Sequence, residues 1–300
     1  MDEGRLREAA FGGDPGAEVW AGLRGTRTER WLAAVVLGAR GHYAAAAAAL
    51  GELLRGDDLV ASLAASALAS HRRQLGAHAA ARRLDAVALA KAPGGAGGDP
   101  HGVDPAGARA DALLGLAADA LGAGRLGEAR RLHAAVEPVG WRARVRHGWV
   151  AAEIELASGR PEAAEPFAGL AVEAAERAGA TRHLLKSRLV LGTALVVRGT
   201  PESVRAGLEV LSCDLNHTTD LGLLSLVWPT ALVLAEGTAG RNIAESEQVR
   251  EHAVNALSCV LRRADPISRR WAVASPWIPT ALLRSGEPPN ADAETNFLTD

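Results

Sequence analysis

The amino-acid sequence predicts an all-α fold, a right-handed α-solenoid of stacked antiparallel helix pairs. Alanine, the best helix former, supplies about a fifth of the chain, whereas aromatic residues supply only 4%. A pattern of helix, glycine and second helix recurs at Gly41, Gly76, Gly124, Gly159 and Gly199. Because one helix pair cannot bury its own apolar stripe, these pairs are expected to stack on one another.

The chemistry of the turn explains each repeat unit. Glycine ends the first helix because it adopts the left-handed conformation without a Cβ clash. Proline suits the first turn of the next helix, as at Pro161 and Pro201. Small residues five positions after a glycine let the two helices approach closely, and they are Ala46, Ala81, Ala129 and Ala164. The glycines are 35, 48, 35 and 40 residues apart, so the second spacing requires an insertion.

The Gly/Pro-rich stretch 93–107 supplies that insertion and helps to define the predicted organisation. Residues 1–26 are expected to form an N-terminal segment or capping helix, and residues 27–212 five helix pairs. A C-terminal helical cap is predicted over residues 213–284. The polar tail 285–300 is expected to be disordered.

The cap region is less regular, yet it still indicates helices. One helix is predicted from Leu221 to Glu236 and another from Ser246 to Arg263. Ser246 is a suitable N-cap for the second of these, and Asn242 is an alternative one turn earlier. A short closing helix is expected to begin at Asp265 and Pro266.

Three tryptophans, Trp228, Trp271 and Trp277, fall in the cap region. Packing into the core at the end of the stack is the expected role of their rings. Stacking against a ligand is the alternative.

Two copies carry a more specific pattern. Leu191 and Gly192 precede the turn at Gly199, and Gly41-His42-Tyr43 is followed by Ala46. In these features the chain resembles the tetratricopeptide-repeat family, in a degenerate bacterial form, over about residues 27–212. The resemblance implies a non-enzymatic scaffold, adaptor or regulator that binds a peptide or protein segment in a concave groove.

In that family, inward-facing positions of each first helix line the groove. Carried over through the turn glycines, the resemblance assigns candidate partner-binding residues to each of the five pairs. They are Trp31, Ser70, Arg73, Gln74, Asp111, Arg146, Trp149, Glu153, Lys186 and Thr193. Arginine and tryptophan are frequent binding hot spots, so the resemblance implies a partner with an apolar anchor and a carboxylate.

Two other binding functions stay open. Ala/Arg/Leu-rich repeats of this kind resemble the solenoid segments of bacterial transcription activators, which implies a sensor for a small effector. Arg142, Arg144 and Arg146 lie between Trp141 and Trp149, a mixture that also suits single-stranded nucleic acid. The net charge of −2 argues against nucleic acid, which is the weaker alternative.

Several residue clusters superficially resemble chemical sites. The glycines Gly122, Gly124 and Gly127 match a dinucleotide-binding spacing, but a predicted helix rather than a strand precedes them. Two groups have metal-ligating side chains, and they are Asp99, His101 and Asp104, and Cys213, Asp214, His217 and Asp220. Turn formation and helix capping are the preferred interpretations of both groups. No cofactor, resident metal or enzymatic activity is therefore predicted.

Composition bears on compartment and assembly. Two cysteines do not make a disulfide framework, and neither a signal peptide nor a membrane-length apolar stretch is visible. A cytoplasmic protein that does not enter a membrane is expected, and homo-oligomerisation stays open.

Overall fold

The structure is a computed structural model that describes residues 2–284, so the predicted disordered tail 285–300 lies outside the described residues. Within residues 2–284 the chain is all-α, with no β-strand, and consecutive helices pack as neighbours as predicted. The helices are α1 (Glu3–Phe11), α2 (Arg27–Ala39), α3 (Tyr43–Leu53), α4 (Leu59–Gln74), α5 (His78–Lys91), α6 (Pro105–Gly122), α7 (Leu126–Ala134), α8 (Gly140–Ala157), α9 (Pro161–Arg177), α10 (Thr181–Arg198), α11 (Pro201–Asp220), α12 (Leu224–Thr238), α13 (Ile243–Arg262), α14 (Pro266–Ala274) and α15 (Ala281–Arg284), with a 3-10 helix at Trp20–Arg24.

Helices α2 to α13 form six successive pairs. We call α2, α4, α6, α8, α10 and α12 the first helices and their partners the second helices. All five turn glycines predicted from the sequence have left-handed backbone, with φ between 70° and 80°. The alanines five positions after the first four of them are fully buried. The predicted hairpin chemistry is confirmed at these positions, and α12–α13 adds a sixth pair that continues the same packing.

Helix starts follow the expected capping chemistry. Thr26 and Glu29 form a capping box at α2. Asp265 caps α14, whose first residue is Pro266, as the sequence predicts. Helix α13 begins at Ile243 rather than Ser246 because Asn242 accepts a hydrogen bond from the Glu245 amide. The hydroxyl of Ser246 is instead buried and donates to the Ala235 carbonyl.

Close helix contact depends on small residues at the pair interfaces. A Cβ added at Gly148 of α8 would lie 2.8 Å from the Phe167 carbonyl oxygen of α9 and 3.1 Å from the Ala171 Cβ. The α8–α9 pair therefore packs backbone against side chain, which accounts for a core that contains few aromatic rings.

The solenoid bends until its sixth pair rests on its first. Gly41, at the turn between α2 and α3, faces Val260 of α13 and Leu224 of α12. Tyr43 belongs to a buried cluster with Leu257 and Val260. These contacts join elements about 200 residues apart in sequence, and they make the first helices surround a common centre.

The C-terminal segment continues across the turns of the first three pairs. The Ala44 amide donates to the Arg263 carbonyl at 2.9 Å, and the Ser275 hydroxyl donates to the Gly76 carbonyl at 3.0 Å. Trp277 Nε1 donates to the Gly122 carbonyl at 3.2 Å. This segment covers the end of the solenoid at which the early first helices finish.

The N-terminal segment covers the opposite end, where first helices begin. The Thr181 amide of α10 donates to the Gly12 carbonyl at 3.1 Å. Arg7 forms an ion pair of 2.9 Å with Asp99, in the loop before α6. Phe11, the last residue of α1, is buried toward the centre.

The cluster predicted around α11 does not converge on one point. Cys213, His217 and Asp220 are exposed, whereas Asp214 turns into the interface with α10 and is buried. Neither carboxylate oxygen of Asp214 accepts a hydrogen bond, and Arg188 Nη1 is 3.6 Å away. Burial raises the pKa of Asp214 to about 7.

Substitution of Asp214 by asparagine is expected to stabilise the protein at high pH. Because the folded-state pKa is raised above the ordinary value, the wild-type carboxyl contributes stability below about pH 4 that is lost as pH rises through about 7. Asp214→Asn removes that loss, so its advantage in free energy of unfolding should grow by about 1–3 kcal/mol between pH 5 and pH 8. Urea unfolding at both pH values measures this, with the exposed Asp220→Asn as the matched control. An advantage independent of pH would contradict the prediction.

Candidate functional site

A cavity of about 430 Å³ lies at the centre of the solenoid. Its wall includes residues from all six first helices. Phe11 borders it on the N-terminal side, and Trp277 and Ile278 border it on the C-terminal side. A volume in this range is typical of sites that enclose a small molecule.

Nine of the ten predicted groove residues line this cavity. They are Trp31, Ser70, Arg73, Gln74, Asp111, Arg146, Trp149, Glu153 and Lys186. Thr193 is not part of the wall, and its hydroxyl donates to the Leu189 carbonyl of its own helix at 2.7 Å. On α10 the wall is formed by Arg182, His183, Lys186 and Leu189, so the inward stripe begins one turn earlier than predicted.

Sequence reasoning missed the residues that the chain termini and the start of α10 bring to the wall. Phe11, Arg182 and His183 line the cavity, although no repeat position assigned them there. Helical spacing from Lys186 would have reached Arg182 and His183, since residues three and four apart share a face. No local signal would have found Phe11.

The cap tryptophans divide between two environments. Trp228 is partly buried, packs against two core clusters and lines the cavity. Trp271 and Trp277 are exposed, at 38% and 57%, so the expectation of core packing is wrong for these two. Instead, Trp271 lies under the guanidinium of Arg72, 5.3 Å from its ring centre.

Arg73 is fixed between two buried carboxylates. It pairs closely with Asp85 and donates from Nε to Asp119 Oδ1 at 2.8 Å. Its Nη2 also donates to the Gly115 carbonyl at 3.2 Å. Burial, together with the neighbouring Asp119 charge, raises the pKa of Asp85 to about 8, although Arg73 opposes the shift. Arg73 thus connects α4, α5 and α6 as well as lining the cavity.

Asp111 holds two further cations. Arg142 Nη1 and Arg146 Nη1 each lie 2.7 Å from one of its carboxylate oxygens. Lys186 pairs with Glu153 at 3.2 Å and lies 5.8 Å from the ring centre of Trp149. On this side of the cavity, the single carboxylate of Asp111 therefore pairs with two guanidinium groups.

Arg182 has no carboxylate partner within residues 2–284. Its one hydrogen bond runs from Nη2 to the Ala10 carbonyl at 3.4 Å, and its Nε has no acceptor. Burial, with repulsion from Arg146 and Arg142, lowers the pKa of Arg182 to about 10. Among the described residues, the cavity wall therefore carries one cation without a carboxylate partner.

An aromatic cluster surrounds His183, next to Arg182. The His183 ring stacks on Trp149 at 5.7 Å and meets Trp141 edge-on at 5.0 Å. Phe11 lies 6.2 Å away on another side. Burial and the adjacent guanidinium groups lower the pKa of His183 well below its ordinary value, so the ring is neutral and adds to the apolar part of the wall.

Several polar atoms of wall residues have no partner. Trp31 Nε1, Ser66 Oγ, His71 Nδ1 and His183 Nδ1 are buried and make no hydrogen bond. Burial lowers the pKa of His71 to about 3. Unpartnered buried polar groups are uncommon in native proteins and require an explanation. All four atoms belong to residues that line the same cavity.

The insertion before α6 is ordered by turn chemistry. Asp99 accepts from the amides of His101 and Val103, and Asp104 accepts from those of Gly98, Asp99 and Gly107. Both carboxylates therefore bind backbone amides. Residues 105–107 belong to the first turn of α6.

Other patterns found in the sequence have local explanations. Gly122, Gly124 and Gly127 lie at the junction of α6 and α7, and Gly124 is the left-handed residue of the turn. Between residues 2 and 284, no group of three or more metal-ligating side chains converges. Over the same residues, no helix has the length and apolar character that a membrane span requires.

No protein-family model matches the sequence, and no curated protein matches it significantly.

Proposed function

We propose that this chain is a non-enzymatic sensor that binds a small molecule in the central cavity of a tetratricopeptide-like solenoid. The observation that carries this proposal is the 430 Å³ cavity, lined by all six first helices and by aromatic and charged side chains together. Apolar walls with a few convergent polar groups are the usual composition of small-molecule sites.

The covered ends favour a compact ligand over a long peptide. The N-terminal segment crosses one end through the Thr181 to Gly12 bond, and Trp277 crosses part of the other. An extended segment of six residues would span roughly 20 Å, and it would have to displace these contacts. A small effector fills the same space without displacing them.

Ligand binding would connect parts of the chain that are distant in sequence. The wall joins α1, the first helices and the residues after α14. A ligand that contacts them all would favour the closed arrangement of the solenoid by its differential affinity. A regulator could use that change to alter a surface presented to another protein.

A cavity-filling variant tests the proposal. Ala118 lines the cavity and makes no polar contact, so Ala118→Trp should occupy the ligand space. Wild-type protein equilibrated with a small-molecule extract of its own cells is expected to retain a compound, read by ultrafiltration and mass spectrometry. That compound should raise the Tm of the wild type by a few degrees, because a ligand at about 100 times its Kd adds about 2.7 kcal/mol of stability.

Ala90→Trp, on the exposed face of α5, is the matched control and should retain the compound like the wild type. Equal retention by Ala118→Trp would place the binding site elsewhere. If only a protein fraction raised the Tm, and Ala118→Trp abolished that rise, the adaptor function would replace the sensor.

A further inference from the structure

We propose that the ligand is an aromatic carboxylic acid, with its carboxylate paired to Arg182 and its ring against the aromatic wall. This inference rests on the proposed small-molecule function and specifies its ligand class. Two independent features of the cavity support it, namely an uncompensated positive charge and a concentration of aromatic side chains.

The charged groups around the cavity do not balance. The cations are Arg73, Arg142, Arg146, Arg182 and Lys186, and the carboxylates that pair with them are Asp85, Asp111, Asp119 and Glu153. Four of the cations have a carboxylate partner, and Arg182 has no carboxylate partner within residues 2–284. The one cation in this stretch without a carboxylate partner matches a ligand with a single carboxylate.

The position of Arg182 increases its need for an anion. It lies in the first turn of α10, whose N-cap residue, Ala180, contributes no side-chain hydrogen bond. The positive end of a helix dipole adds to an already cationic region. A carboxylate there would gain charge-assisted hydrogen bonds, which are stronger than neutral ones.

The aromatic side chains define the rest of the ligand. Five of the chain's eleven Phe, Tyr and Trp residues line this cavity, and they are Phe11, Trp31, Trp149, Trp228 and Trp277. Flat rings pack against such side chains in offset or edge-to-face arrangements. An aromatic body therefore fits the wall better than a purely polar metabolite does.

The experiment uses defined probes with the full-length protein. Indole-3-propionate and 2-naphthylacetate, each beside its neutral primary amide, are titrated by calorimetry, with phenyl phosphate as a dianionic comparison. We expect the acids to bind about tenfold to a hundredfold more tightly than the amides, because loss of a charged hydrogen-bond partner has an effect of that order. Phenyl phosphate should bind more weakly than the acids.

Arg182→Met separates a binding role from a structural one. The variant should lose the preference for acid over amide, while the Tm of the ligand-free protein rises because a partly buried cation without a carboxylate partner in residues 2–284 is removed. Arg182→Lys keeps the charge and should recover part of the preference. Arg198→Met, on the same helix but in an exposed pair with Glu165, should bind as the wild type does.

Each of the remaining outcomes would contradict a specific part of the two proposals. Equal binding of acids and amides, tighter binding of phenyl phosphate, or a preference that survives Arg182→Met would overturn the carboxylate assignment. A fall in the ligand-free Tm of Arg182→Met would make Arg182 structural. If the acids fail while a neutral compound from the extract binds wild type but not Ala118→Trp, the ligand class is wrong and the sensor function stands. If the acids bind Ala118→Trp as well as wild type, both proposals fail.

Discussion

Replacement of Arg73 by methionine is expected to lower the free energy of unfolding by about 3–5 kcal/mol, because removing one partner of a buried ion pair leaves the other charge uncompensated. Asp85 and Asp119 are each 1% exposed. Both depend on Arg73 for their charged partner. Urea unfolding at pH 8 measures the loss.

The same variant should be less destabilised at pH 5. Without Arg73, the folded-state pKa of Asp85 would rise further above its ordinary value. A carboxyl with a raised folded-state pKa contributes stability at low pH that is lost as pH rises. Arg109→Met, at an exposed α6 position, should change stability by less than about 0.5 kcal/mol at either pH. If Arg73→Met loses no more free energy of unfolding than Arg109→Met, then water rather than Arg73 stabilises the carboxylates of Asp85 and Asp119.

Arg73 shows that the direction of a side chain can be predicted from sequence when its binding partners cannot. The resemblance, carried over through the turn glycine Gly76, placed its side chain toward the centre, and Arg73 lines the cavity. The resemblance did not show that Asp85 and Asp119, on the next two helices, would meet it there. A position on a helix face follows from local geometry, whereas the partner of a side chain depends on how neighbouring helices pack.

The repeat itself was predictable because every part of it is local. Gly41, Gly76, Gly124, Gly159 and Gly199 end first helices for a conformational reason that acts within one turn. The buried alanines follow at a fixed spacing. Closure of the solenoid was not predictable in this way. It depends on small rotations that accumulate from pair to pair, and contacts such as Arg72 with Asp265 join residues 193 positions apart.

In the candidate site, too, some features follow from the local sequence and others depend on how distant helices pack. On α2, α4, α6 and α8, eight wall residues are among those that the resemblance assigned, but on α10 the wall starts at Arg182 instead of Lys186. The excess charge could not be recognised from sequence, since the chain as a whole is close to neutral. It emerges when five cations and two carboxylates, Asp111 and Glu153, line one cavity, with Asp85 and Asp119 buried behind Arg73.

Replacement of Arg142 by methionine is expected to release the loop between α5 and α6 from the cavity wall. Arg142 donates to the carbonyls of His101 at 2.6 Å and Gly102 at 2.8 Å, and it pairs with Asp111. Loss of these bonds should lower the free energy of unfolding by about 3 kcal/mol. Amide exchange over residues 92–104, read by mass spectrometry, should become at least about tenfold faster, because local opening loses stability of that order.

Arg144→Met is the matched control, since Arg144 lies one half-turn away on α8 and is exposed. In Arg144→Met, amides of the loop between α5 and α6 should exchange at the wild-type rate. Unchanged exchange in Arg142→Met would mean that Asp99 and Asp104 hold the loop by their own amide contacts. Faster exchange would show that one guanidinium fixes both the loop and the cavity wall. A ligand that contacts this wall should then slow exchange in the loop of the wild type, and that coupling should be lost in Arg142→Met.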